Sequence, residues 1–149
     1  MIEEGAQFPD FSLSDQDGNT VSLADLKGRR AVIYFYPKDD TTGCTAEACE
    51  FRDVVPTVEG ARIIGVSPDG VKSHRKFVDK YGLNFTLLAD EGHELADQLG
   101  IWVEKSMYGK TYMGIERSTY VLDPNGKIEK IYRKVKPQGH AAEVLAALG

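Results

Sequence analysis

Cysteine, histidine and tryptophan are scarce in this sequence, at two, three and one among 149 residues. Two cysteines exclude a disulfide scaffold. They also exclude the paired Cys/His spacing of a structural zinc site, since no second cysteine pair exists and His74, His93 and His140 lie scattered along the chain. No apolar run approaches the ~18 residues of a membrane span. Met1-Ile2-Glu3-Glu4 opens with neither a basic nor an apolar stretch, so a leader is not expected and the chain is expected in the cytoplasm, away from membranes. Excess positive charge is missing too: the net charge is −5, which weighs against a surface that tracks nucleic-acid phosphates. The most basic stretch, Lys127 to Lys136, reads as a solvated strand edge. Repeats, linkers and low-complexity segments are absent, so one domain over residues 1–149 is expected. With 42% hydrophobic residues it can close a core without covalent support.

What is present is a succession of strand and helix signals. Phe8 to Leu13 and Thr20 to Leu23 alternate apolar and polar residues around the turn-forming Asp15 to Asn19, which predicts an N-terminal β-hairpin. Ala24 to Gly28 reads as a short helical turn stopped by glycine. The apolar run Ala31 to Tyr36 reads as a buried strand, followed by a helix from Cys44 to Val55. Arg62 to Ser67, a helix over about Lys72 to Lys80, and Phe85 to Ala89 continue the alternation, so these strands are expected to run parallel. A helix from Glu94 to Leu99 precedes Gly100 to Glu116, which reads as an irregular segment whose aromatics Trp102, Tyr108 and Tyr112 pack as a loop. Ser118 to Leu122 and Lys127 to Arg133 flank Asp123-Pro124-Asn125-Gly126, a strong hairpin signal, and a helix from Ala141 to Leu148 ends the chain.

Both cysteines fall in one stretch, Tyr36 to Arg52. Pro37 ends the strand, and Thr41, Thr42 and Gly43 form a polar turn before the helix, so Cys44 falls in its first turn. A sulfur there faces free backbone N–H groups and the positive end of the helix dipole, which favour its charged, nucleophilic form. A buried structural cysteine is the alternative use of such a residue. Cys49 follows at a spacing that places the two Cα atoms roughly 8 to 9 Å apart on an ideal helix. A disulfide tolerates about 7 Å at most, so the helix must open if the pair is to bond. In a reducing compartment two cysteines are better suited to a transient or catalytic pair than to a permanent staple.

Pro37, Thr41 and Cys44 reproduce the P-x-x-x-T-x-x-C motif of the peroxiredoxins. The run Gly43-Cys44-Thr45-Ala46-Glu47-Ala48-Cys49-Glu50-Phe51-Arg52 resembles the peroxiredoxin Q, or bacterioferritin comigratory protein, subgroup. The likeness extends through Ser67-Pro68-Asp69 and Arg117 to Gly126, over essentially the whole chain. It implies an α/β, thioredoxin-like fold with an N-terminal β-hairpin addition in a single domain. It also implies a thiol-dependent peroxidase that reduces hydrogen peroxide and organic hydroperoxides without metal, flavin or haem, acts as a monomer, and is re-reduced by thioredoxin or a similar dithiol.

Roles follow by the same resemblance. Cys44 is the peroxidatic residue and Cys49 the resolving one, condensing with a Cys44 sulfenic acid to form an intramolecular disulfide. The Thr41 hydroxyl bonds the reacting sulfur and peroxide, although capping a helix is its commonest structural use. Pro37 shields the sulfur from water, although it could serve only to end the strand. Arg117 places its guanidinium beside the sulfur, whereas an arginine before a strand is ordinarily a solvated flank. Glu47 positions an arginine, although the helix dipole alone would favour an acid there. Arg52 reads as a surface residue, and the three histidines as ordinary polar residues. Two other uses of the cysteine pair stay open: thiol-disulfide exchange, which would want C-x-x-C and a facing cis-Pro loop, and a redox-responsive binding protein without catalysis.

Overall fold

The computed structural model describes residues 1–58 and 60–148. Among these residues seven strands form one sheet: β1 (Ser12–Asp15), β2 (Thr20–Ser22), β3 (Arg30–Phe35), β4 (Ala61–Ser67), β5 (Thr86–Ala89), β8 (Ser118–Leu122) and β9 (Ile128–Arg133). Two more, β6 (Trp102–Met107) and β7 (Lys110–Ile115), pair only with each other. The sheet order is β2-β1-β5-β4-β3-β8-β9, with β3, β4 and β5 parallel as expected and the flanking pairs antiparallel. The helices are α1 (Thr42–Val54), α2 (Val71–Tyr81), α3 (Glu94–Leu99) and α4 (His140–Leu148). Basic β9 is the sheet edge that the charge of Lys127 to Lys136 suggested.

The two-residue period of β3 divides the core. Ala31, Ile33 and Phe35 face one layer with Ile64, Leu88, Tyr120 and the α3 residues Leu95 and Leu99. Val32, Tyr34 and the following Tyr36 face the other, where they meet Cys44, Ala48 and Phe51 of α1, Phe77 of α2 and Val144 of α4. A central strand buried on both faces reads as a continuous apolar run, which is why Ala31 to Tyr36 was recognisable. The first expected strand is shorter than its pattern: β1 begins at Ser12, while Phe8 leaves the sheet to plug the core at 1% exposure.

The segment 100–116 differs from its expectation. It forms the hairpin β6–β7, in register from Trp102↔Ile115 to Met107↔Lys110. The turn is Tyr108-Gly109, both at positive φ (52° and 77°), the conformation that a two-residue hairpin requires. Tyr108 is 96% exposed and Tyr112 is 45% exposed, so neither packs as a loop residue. Among the described residues Trp102 alone of the three has a ring partner, stacked on the His93 ring at 4.0 Å between ring centres. With most of its residues exposed, the hairpin has no apolar alternation to announce it.

Gly65 makes the packing beneath α1 possible. It lies opposite Tyr34 in the β3–β4 register, and a Cβ there would sit 2.8 Å from a Leu87 methyl and 3.0 Å from the Tyr34 ring. Tyr34 in turn stacks on Phe51 at 4.6 Å between ring centres. Gly65→Ala is therefore expected to destabilise the fold by about 1–2 kcal/mol, an overpacking penalty of about 1–3 kcal/mol outweighing the roughly 0.5–1 kcal/mol that alanine gains in a strand. The measurement is a urea unfolding curve, in which the midpoint should fall at constant slope. An unchanged midpoint would mean that Tyr34 and Leu87 move aside freely.

Candidate active site

The chain leaves β3 through Tyr36, Pro37 and Lys38, turns at Asp39-Asp40, and enters α1 at Thr41. Thr41 is the N-cap residue, with extended backbone (φ −93°, ψ 159°). Its carbonyl accepts the N–H of Thr45 at 2.8 Å, which starts the helical ladder. The N–H groups of the first turn, including that of Cys44, are left free at the positive end of the dipole. Cys44 is also the first member of the buried stripe Cys44, Glu47, Ala48 and Phe51, so its sulfur points inward and is 1% exposed.

Arg117 reaches that sulfur from the link between β7 and β8. Its Nη2 donates to Cys44 Sγ at 2.9 Å, and its Nη1 donates to Glu47 Oε1 at 3.0 Å. The Arg117 side chain is 16% exposed and the Glu47 side chain 1%. Gly43 leaves room for this approach: a Cβ there would lie 3.2 Å from Arg117 Nη2 and 3.2 Å from Pro137. Burial pushes the Glu47 carboxyl up from the ordinary 4.5 to about 7, against the pull of Arg117. Tyr34 lies beneath the site, and its hydroxyl is held well above its ordinary range, first by burial and then by the charges of Glu47 and Cys44. Lys105 of β6 brings a second cation into the field of Cys44 and Arg117. Its ammonium is held below its usual range by partial burial and by Arg117.

Of the residues singled out from sequence, the structure brings Cys44, Arg117 and Glu47 into direct contact. Thr41 sits at the helix entrance, but its hydroxyl donates to Lys38 O at 2.9 Å rather than to the sulfur, and its oxygen accepts no helix N–H among the described residues. Pro37, half-buried, begins the same loop. Cys49 is half-buried further along α1; both thiols are free and about 140° apart around the helix. Arg52 is less of a surface residue than expected, since Nη1 donates to Tyr81 O at 2.7 Å.

Two histidines depart further from expectation. His140 is 3% exposed, with Nε2 2.7 Å from Thr119 Oγ1 and Nδ1 2.9 Å from Glu143. His74 is fully buried, with Nδ1 2.6 Å from Asp39 Oδ2 and Nε2 2.9 Å from Leu88 O. Asp39 itself was not singled out, because an aspartate in a turn reads as turn chemistry. Ser67-Pro68-Asp69 was the nearest signal: Asp69 Oδ2 accepts the Asp39 N–H at 2.7 Å.

A thiol in a first helical turn, capped by a guanidinium, on a sheet of this topology defines a class. The AhpC/TSA family matches residues 5–131, and the chain belongs to that family. The peroxiredoxin Bcp of Bacillus subtilis is 50% identical over 149 residues, covering 99% of this chain and 95% of that one. Its Escherichia coli K12 counterpart is 44% identical over 146 residues, covering 97% and 94%. Among solved structures, Xylella fastidiosa PrxQ superposes with a TM-score of 0.93 at 36% identity, covering 99% of this chain and 96% of that one. A Xanthomonas campestris bacterioferritin comigratory protein, solved in connection with its alkyl peroxide reduction activity, gives 0.87 at 46% identity, covering 93% and 89%. This chain is thus a peroxiredoxin of thioredoxin-like α/β fold, similar to the Q, or bacterioferritin comigratory, members.

The raised Glu47 carboxyl makes stability depend on pH. Folded Glu47 keeps its proton up to about pH 7, whereas the unfolded chain releases it near 4.5, so this group's contribution falls as pH rises between the two. The integrated effect is about 3 kcal/mol. His140, whose buried ring is held below its ordinary 6.5, acts in the opposite sense over part of that range, and comparison with Glu47→Gln cancels it. The unfolding free energy of Glu47→Gln minus that of the parent, both reduced, should therefore rise by a few kcal/mol from about pH 4.5 to 7.5. A difference independent of pH would place the Glu47 carboxyl in the ordinary range.

Proposed function

We propose that this peroxiredoxin reduces hydrogen peroxide and organic hydroperoxides at Cys44, with Cys49 as resolving thiol and a dithiol protein such as thioredoxin as reductant. The observation that carries the reading is the 2.9 Å contact from Arg117 Nη2 to Cys44 Sγ at the start of α1. The alkyl peroxide reduction of the Xanthomonas relative supports the choice of substrate.

The Cys44 thiolate attacks the distal peroxide oxygen. An S–O bond forms as the O–O bond breaks, sulfur loses two electrons, and the departing alkoxide or hydroxide takes up a proton. Negative charge thus moves from sulfur to the leaving oxygen. Arg117 and the free N–H groups of the first turn already point at that path, so little reorganisation is needed as the charge moves. Glu47 holds the guanidinium by its other arm. The Thr41 hydroxyl, with its proton on Lys38 O, keeps oxygen lone pairs to accept a hydroperoxide proton. Cys49 then condenses with the Cys44 sulfenic acid, expelling water, and the disulfide passes to the external dithiol. Monomeric action in the cytoplasm, with Pro37 screening the sulfur, belongs to the same reading.

Stopped-flow mixing of the reduced protein with hydrogen peroxide or an alkyl hydroperoxide tests this assignment. Cys44→Ser should abolish peroxide consumption, whereas Cys49→Ser should undergo one oxidation and stall as the sulfenic acid. Arg117→Ala should slow the first oxidation ~10²-fold or more, the usual effect of losing one preorganised donor. Equal loss of the first oxidation in both cysteine variants would overturn the division of labour.

A helical Cys44 and Cys49 cannot reach bonding distance, so forming the disulfide should open α1. Hydrogen exchange compared between reduced and oxidised protein should show amides from Thr45 to Val54 losing protection while those of Ala31 to Phe35 keep it. Equal protection of α1 in both states would point to a disulfide between two chains.

A further inference from the structure

A second buried polar cluster lies under the loop that delivers the chain to Cys44, and the chemistry described above does not use it. Asp39, 8% exposed, accepts from Tyr36 Oη at 2.5 Å through Oδ1 and from Ser73 Oγ at 2.7 Å through Oδ2. His74 Nδ1 is 2.6 Å from the same Oδ2, and His74 Nε2 is 2.9 Å from Leu88 O. A carbonyl oxygen only accepts, so Nε2 carries hydrogen. A neutral ring would then turn a bare Nδ1 toward a bare carboxylate oxygen, so a proton must lie on that contact as well. The carboxyl group already receives two hydroxyl donors and suits the role of acceptor, which puts the proton on the nitrogen. These contacts fit an imidazolium paired with a carboxylate, together neutral, at a place where an unpaired charge would cost several kcal/mol.

The cluster holds backbone as well as side chain. The Asp39 N–H is taken by Asp69 Oδ2 at 2.7 Å, and Asp69 in turn accepts from Ser67 Oγ at 3.0 Å. Asp40, at φ 59°, is in a left-handed conformation that aspartate tolerates better than most side chains, and its carboxylate accepts from Lys80 Nζ at 2.8 Å and Tyr81 Oη at 2.6 Å. Two successive residues are thus fastened to the end of β4 and to both halves of α2, and the helix that aims Cys44 at Arg117 starts two residues later.

We propose that Asp39, held by a doubly protonated His74, is a positioning residue for the Cys44 reaction: it fixes the loop from Pro37 to Thr41 so that the first turn of α1 keeps its sulfur on Arg117. This rests on the peroxidase reading, and the two can fail separately.

The test combines kinetics with a direct look at the ring. In the reduced parent protein, nitrogen NMR at neutral pH should show both His74 ring nitrogens protonated and slow to exchange, and Asp39→Asn should convert the ring to a neutral form with one N–H. Peroxide oxidation of Cys44 should slow ~10-fold or more in Asp39→Asn and His74→Gln, since displacing a reacting group by about 1 Å can cost that much or more. Condensation with Cys49, once the sulfenic acid has formed, should change less than about threefold, because a loop held for the first step has no differential contact with the second. Asp69→Ala removes the half-exposed carboxylate that accepts from the Asp39 N–H and from Ser67 Oγ, without leaving a buried charge, and should slow the first step by a smaller factor. It keeps the test decisive where the buried-pair variants fail to fold. A neutral His74 in the parent, or an unchanged first oxidation in folded Asp39→Asn or in Asp69→Ala, would overturn the proposal. A parent protein that does not consume peroxide would instead sink the peroxidase reading beneath it.

Discussion

One guanidinium holds together what the first turn of α1 would otherwise drive apart. Cys44 and Glu47 are neighbours at helical spacing on the same buried stripe, and both are groups that can become anions. Side by side in a dry layer they would repel. Arg117 lies between them with one N–H arm on each, a geometry that its rigid planar fork supplies and a lysine ammonium does not. The surrounding structure follows from that placement. The arginine must emerge just before β8, its backbone carbonyl is fixed by the Val135 N–H at 3.0 Å, and Gly43 leaves the room in which the fork lies against the helix.

With the Cys44–Cys49 disulfide proposed above, the helix that carries both thiols has two opposed demands to satisfy. Closed, it seats Phe51 against Tyr34 at 4.6 Å and edge-on to His140 at 5.9 Å, and Glu50 accepts the Gly139 N–H at 2.9 Å. These contacts keep the sulfur in register with Arg117. Burying a phenylalanine contributes about 1.5–3 kcal/mol and each aromatic pair about 0.5–1.5 kcal/mol, so opening the helix stands a few kcal/mol above the closed state. Such a gap is large enough to hold the reduced enzyme closed and small enough to be crossed by local fluctuation.

Much of this was legible in the sequence, and the exceptions share a cause. The parallel strands announced themselves because they are buried on both faces. The hairpin turns at Asp15 and Asp123 did so because each aspartate caps its own turn, accepting backbone N–H groups two and four residues on. Cys44 could be placed from its position at a helix start alone. Arg117, 73 residues away, became visible only through family resemblance, because nothing local distinguishes an arginine that caps a sulfur from one in solvent. The β6–β7 hairpin escaped because exposed strands carry no apolar period, and Tyr108 occupies a left-handed position where asparagine or glycine would have signalled the turn. Asp39 and His74 escaped for the same reason as Arg117. Each sits among polar neighbours in its own segment, and their burial arises only where loop, α2 and β5 meet.

The position of these anchors decides where α1 can open. Its entrance is fixed through Asp39 and Asp40 to α2, and its far end through Arg52, which donates to Tyr81 O at 2.7 Å and whose own carbonyl accepts from Asn84 at 3.0 Å. A segment held at both ends can still unwind, because extended chain spans about 3.3 Å per residue against 1.5 Å in a helix. Each residue that leaves the helix therefore releases slack of nearly 2 Å, and the turns between Cys44 and Phe51 supply enough for the proposed disulfide to bring Cys49 back onto Cys44 without moving either anchor. An opening confined in this way leaves the sheet, the Asp39 loop and the Arg117 link in place. The closed site can then re-form on reduction by rewinding one short helical segment against a surface that has not moved.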